Sequence, residues 1–104
     1  MISIEEIREM FRKETVRMTN HANMQFLERN IYIDDVRYAV MNGEITEQYL
    51  NDKPYPSCLI SGVNAKGQNI HCVCALSAVE TLLITAYYPD TNKWSGDFKI
   101  RKEK

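Results

Sequence analysis

The chain has 104 residues, 44% hydrophobic and 26% charged, with 13 basic against 14 acidic side chains and few glycines or prolines. That is the composition of a globular domain long enough to bury a core without metal or disulfide staples, and it excludes collagen-like and low-complexity sequences. No apolar run approaches the roughly 18 residues a membrane span needs, and the acidic start MISIEEIREMF does not read as a signal peptide. A single domain over 1–104, cytoplasmic and with no membrane partner, is expected.

The first half reads as helical. Ser3 followed by Glu6 fits a capping box, and Ile7, Met10, Phe11 and Glu14 follow the i, i+3, i+4, i+7 spacing of an apolar stripe. Thr19 or Asn20 is placed to cap a second short helix over residues 21–29, with Phe26 and Leu27 turned to the core. Asp34 is placed to cap a third helix that ends at Asn42, with Gly43 as its left-handed terminal residue and Val36, Ala39 and Val40 on its buried side. After Gly43 the period changes to that of strands. Residues 44–50, 58–63, 69–76 and 82–88 read as four strands, separated by the turn Asn51-Asp52-Lys53-Pro54 and the hairpin loop Asn64-Ala65-Lys66-Gly67. Helices first and adjacent strands afterwards predict an α+β fold, with N-terminal helices packed on one face of a four-stranded antiparallel sheet.

Charge is unevenly spread. Residues 93–104 have five basic and two acidic side chains, whereas residues 28–52 have two basic and six acidic. A basic end and an acidic middle suit either a binding surface or a solvated tail. Cys58, Cys72 and Cys74 are an odd number of thiols in a chain without an export signal, so reduced cysteines are expected. Strand alternation puts Ile70, Cys72, Cys74 and Leu76 on one face and His71, Val73 and Ala75 on the other. The HCVC segment is therefore a poor metal set, and Cys72 and Cys74 read as small buried hydrophobes. No metal site is expected.

In the second helix, His21, Gln25 and Glu28 fall on one stripe with Arg29 beside it. A histidine, a carboxylate and an arginine suit acid–base chemistry on a phosphodiester, while the spacing alone better suits a solvated helix face with Glu28 in a salt bridge. Tyr49, Tyr55, Tyr87, Tyr88 and Trp94 lie in the strand half or just beyond it, near Lys99, Arg101 and Lys102. Aromatic rings beside cations stack unpaired bases, although aromatics in strands are more often core or edge residues. Trp94, between Lys93 and the Lys99-Arg101-Lys102 group, is the foremost surface candidate.

Several segments in this order carry a family resemblance. They are His21-Ala22 with Glu28-Arg29, Asp34-Asp35-Val36, GEITEQYLNDKPYPSCLISG over 43–62, IHCVCA over 70–75, LLITAYYPD over 82–90, and Trp94 with DFKIRK over 97–102. Over about residues 17–102 the chain resembles the bacterial family called domain of unknown function 4258, which is similar to small toxins of the RelE and BrnT kind. The resemblance implies a RelE/BrnT-like sheet with helices on it, and RNA cleavage that needs no metal and no cofactor. It also implies a partner, an antitoxin-like zinc-finger protein from a neighbouring gene. The residues it carries over are His21, Glu28, Arg29, His71 and Arg101. His21 or Glu28 would take the 2′-OH proton, Arg29 and Arg101 would hold the phosphate, and His71 would protonate the leaving oxygen. Tyr55, Tyr87, Trp94 and Lys99 join Arg101 as expected substrate contacts, and the two histidines are expected to converge on one exposed concavity. The chain has Gln25 where the family often has arginine, and Asn30 where it often has glycine. A non-catalytic protein-interaction module is the alternative reading, and a small-molecule or metal-binding protein comes last.

Overall fold

The first helix, α1 (Ile4–Arg12), starts where the sequence says it should. Ser3 Oγ accepts the Glu6 N–H at 3.3 Å, and the Ser3 N–H donates to Glu6 Oε1 at 3.0 Å. The computed structural model describes residues 1–102. Ile7 and Phe11 form the buried side of α1. Arg8 reaches across to the end of a later helix, donating to the carbonyls of Val40 (2.9 Å) and Gly43 (3.0 Å). A guanidinium on carbonyls left unpaired at a helix C-terminus is favoured both as a cap and by the helix dipole.

After a left-handed residue at Glu14, the chain forms a short strand, β1 (Val16–Met18). Thr19 then caps α2 (Asn20–Arg29) by accepting the Ala22 N–H at 3.1 Å. That helix ends at Asn30 in the left-handed conformation (φ 57°, ψ 43°), a position that favours glycine and for which asparagine is the usual substitute. Helix α3 (Ile33–Asn42) follows. Its cap departs from expectation, because Tyr32 holds the cap position and its N–H donates to Asp35 Oδ2 at 2.8 Å.

Gly43 is extended (φ −93°, ψ −166°) rather than left-handed. A glycine is needed there for space. A Cβ on Gly43 would stand 2.4 Å from the Ser61 carbonyl oxygen, and one on Gly62 would stand 2.4 Å from that of Ala39. The two glycines let the end of α3 lie directly on the sheet.

The remaining strands are β2 (Glu44–Tyr49), β3 (Ser57–Val63), β4 (Asn69–Leu76) and β5 (Thr81–Tyr87). The hairpin between β3 and β4 turns through Gly67 at φ 80°, as its sequence predicts. The sheet order is β1-β5-β4-β3-β2. The expected four antiparallel strands are present, but the sheet is five-stranded and mixed, since β1 runs parallel to β5 with Val16 opposite Thr81. Three residues are too few to show alternation. What makes them a strand is the edge of β5, which supplies backbone partners for Thr15 and Thr19 at either end (3.0 and 3.2 Å).

All three helices cover one face of the sheet, where Ile7, Phe26, Val36, Val40, Ile60, Ile70, Cys72 and Leu83 make one apolar cluster. Cys58, Cys72 and Cys74 are buried there without disulfides. Burial pushes the Cys58 thiol up to about 12, and contact with Cys72, together with burial, raises Cys74 well above the ordinary thiol value. Leu27, expected in this core, is 81% exposed, because α2 turns Phe26 inward and leaves its neighbour outside. No helix among the described residues is long and apolar enough to cross a membrane.

Candidate functional site

The other face of the sheet presents Glu47 and Tyr49 from β2, Leu59 and Ser61 from β3, His71 and Val73 from β4, and Thr85 and Tyr87 from β5. Residues that follow β5 fold back over part of it. Trp94 and Arg101 pair as an antiparallel bridge, and the Lys102 N–H donates to the Lys93 carbonyl at 2.9 Å. This return inserts the indole of Trp94 edge-on against the His71 ring, with centroids 4.5 Å apart and planes at 88°. Trp94 is therefore a buried residue, 3% exposed, and not the surface residue expected from its basic neighbours.

His71 is also buried, in place of the exposed position expected for it. Its Nε2 lies 2.7 Å from the Phe98 carbonyl and its Nδ1 lies 3.3 Å from the Tyr87 hydroxyl. A carbonyl only accepts, so Nε2 carries the proton, and Nδ1 accepts from the Tyr87 O–H. Burial holds the imidazole below its ordinary value of 6.5, which favours the neutral ring.

Beside it stands a charged pair that the sequence reading missed. The Arg101 guanidinium lies 4.6 Å over the Trp94 ring and donates through Nε (3.0 Å) and Nη2 (3.2 Å) to the Glu47 carboxylate. The Tyr49 hydroxyl donates to the same carboxylate. Burial works against ionising Glu47, but the hydrogen bonds from Arg101 and Tyr49 outweigh it and keep the carboxyl below the usual range. Burial and the Glu47 carboxylate push Tyr49 up to about 12, and burial raises Tyr87 as well. The bulge at Thr46 on β2 puts Glu47 and Tyr49 on this face, opposite Leu59 and Ser57. A glutamate two residues before a tyrosine in a strand is common enough that nothing in the sequence singled it out.

The surface over this network is an open cleft of about 320 Å³ lined by Tyr87, Tyr88, Asp90, Lys93, Trp94 and Arg101. Of the expected substrate contacts it contains Tyr87, Trp94 and Arg101. Lys99 lies in another hollow, paired with Glu44 at 3.0 Å. Tyr55 is 39% exposed and near Arg17, whose partner on the sheet edge is Glu80.

The helical residues form a second network along β5. Gln25 donates to His21 Nε2 at 2.8 Å, and its Oε1 accepts from Arg29 Nη1 (3.3 Å) and from the Thr85 hydroxyl. Arg29 Nη1 also donates to the Ala86 carbonyl at 2.7 Å. Gln25 thus links the histidine, the arginine and the sheet. His21 and Glu28 are exposed and lie outside the cleft lining. The two networks meet on β5, where Thr85 and Tyr87 occupy neighbouring positions on the same face.

Residues 18–88, well over half the chain, match the family described as Domain of unknown function (DUF4258), so the chain belongs to that family. No curated protein and no solved structure matches it. The match ends at Tyr88, before the segment with Trp94 and Arg101 that completes the cleft.

Proposed function

We propose that the cleft binds single-stranded RNA and that the protein is a toxin-like, metal-independent endoribonuclease of the RelE/BrnT kind, held in check by an antitoxin-like zinc-finger partner. One observation carries this reading. A guanidinium stacked on Trp94 and a tyrosine hydroxyl backed by a buried neutral histidine open into the same cleft. Cleavage at the 2′-OH needs a proton acceptor and a cation for the charge that develops on the phosphate.

In the proposed mechanism, Arg101 and Lys93 hold the scissile phosphate. The Tyr87 oxygen takes the 2′-OH proton while passing its own to His71 Nδ1, and the 2′ oxygen attacks phosphorus. The products are a 2′,3′-cyclic phosphate and a free 5′-hydroxyl. This makes His71 the accepting end of a relay, whereas the resemblance implies a donor, because a neutral imidazole accepts a proton. Burial and the Arg101 charge oppose the resulting imidazolium, which makes it short-lived, while the Phe98 carbonyl and then the Glu47 carboxylate stabilise it. The leaving 5′ oxygen takes its proton from water in the open cleft, and His21 or Glu28, exposed on the helix whose Gln25 and Arg29 are bonded to Thr85, is the second proton carrier that supplies that water. Arg29 supplies a further phosphate contact.

The test is incubation of purified protein with single-stranded RNA in EDTA, reading 2′,3′-cyclic phosphate ends. Tyr87→Phe and Arg101→Ala each should slow cleavage by about 10²-fold. Wild-type protein that leaves the RNA intact overturns the reading.

A non-catalytic interaction module is the second reading. It is favoured by the exposed Met24 (65%) and Leu27 (81%) on α2, beside an apolar hollow of about 250 Å³.

A further inference from the structure

A second hollow of about 340 Å³ adjoins the cleft, and Tyr88 is a wall of both. Its lining includes Arg29, Tyr32, Asp35 and Lys66. Two of these are cations with donor capacity to spare. Arg29 spends Nη1 on Gln25, Thr85 and Ala86, while its other guanidinium nitrogens make no hydrogen bond among the described residues. Lys66 is exposed and takes part in no ion pair among the described residues. The one carboxylate, Asp35, already accepts the Tyr32 N–H at 2.8 Å.

The floor is built to keep its shape. Asn64 is 2% exposed, and its side-chain oxygen accepts the backbone N–H groups of Lys66 (3.0 Å) and Gln68 (2.9 Å), which fixes the hairpin that presents Lys66. Two tyrosine rings and two available cations around one small hollow suit a unit with a flat face and a negative charge. A sugar would use the rings and leave the cations idle, and a bare phosphate would leave the rings idle.

We propose that this hollow is a second nucleotide subsite, reached across Tyr88 only by an RNA strand longer than the two units that flank the phosphate in the first cleft. The inference rests on the reading of the first cleft as an RNA site and extends it. A strand held at two points gains affinity over one held at a single point, because the second contact costs no further loss of translational freedom.

The experiment uses fluorescein-labelled 2′-O-methyl oligonucleotides, which lack the attacking hydroxyl, and reads binding by anisotropy. The double variant Lys66→Ala, Tyr32→Leu changes two exposed residues outside the first cleft. It should weaken binding of a tetranucleotide about tenfold and leave that of a dinucleotide unchanged, while Arg101→Ala weakens both. A loss of less than about twofold for the tetranucleotide, or equal losses for both lengths, overturns the second subsite and leaves the first cleft standing. Wild-type protein that binds neither length overturns both readings.

Discussion

The two faces of the sheet are built from alternate residues of the same strands, yet they do different work. On β4, Ile70, Cys72 and Cys74 meet the helices in a cluster without charge, while His71, one residue along, meets Tyr87, Trp94 and the Phe98 carbonyl. The helix face is held by area removed from water, a non-directional effect that tolerates exchange of one apolar side chain for another of similar volume. The face under the C-terminal segment is held by directed contacts between partners up to 54 residues apart, such as Arg101 with Glu47. There each polar group depends on a particular partner, and losing one strands the other. The main apolar cluster lies on the first face. Chemistry is possible on the second, because polar groups are kept there in defined protonation states.

The largest effect on stability should come from the helix face. Ile70→Ala removes a fully buried side chain and should cost about 2–5 kcal/mol in urea unfolding, with the emission of Trp94 in the folded protein unchanged. His71→Phe, the neighbouring substitution, keeps the volume but strands the Phe98 carbonyl and the Tyr87 hydroxyl. Its cost should be smaller, about 1–3 kcal/mol, and it should shift Trp94 emission to the red as the segment over the sheet loosens. If Ile70→Ala rather than His71→Phe shifted the emission, the division between the faces would fail.

Acidification sharpens the same contrast. Burial places the His71 value below 6.5 in the folded protein, so below pH 6.5 the unfolded chain binds the proton more readily. Stability contributed by the neutral ring is complete above pH 6.5 and is lost as pH falls toward the folded value. Unfolding midpoints from pH 7.5 to 5 should decline in the wild type and stay flatter in His71→Phe. The depressed Glu47 carboxyl adds a second loss at lower pH, below its ordinary value of 4.5.

The smallest effect concerns the end of α2. Asn30→Gly should change thermal stability by a few tenths of a kcal/mol at most, whereas Asn30→Ala should cost about 1 kcal/mol, because only the glycine is unstrained at φ 57°. Equal midpoints for the two variants would show that the left-handed cap does not matter.

Much of this was decided by short-range pattern. The capping box at Ser3, the Thr19 cap, the Gly67 hairpin and the alternation that parts His71 from Cys72 and Cys74 all depend on residues within a few positions of each other, where backbone geometry alone sets which side chains meet. The grouping of aromatic and basic residues in the second half put Tyr87 among the residues to watch, and the family resemblance gave Arg101 its expected role. Short-range pattern failed where the deciding partner is distant. Three residues at Val16–Met18 became a strand because β5 had a free edge, and Gly43 is needed because Ser61 and Ala39 press on it. Trp94 is buried because the chain returns at Arg101, and Leu27 is exposed because Phe26 faces the sheet. Glu47 acquired its role from a bulge and from an arginine 54 residues later. Local spacing specifies which face of an element a residue occupies. Only the packing of elements against one another specifies what that face meets, and in this chain the candidate site depends on that second kind of information.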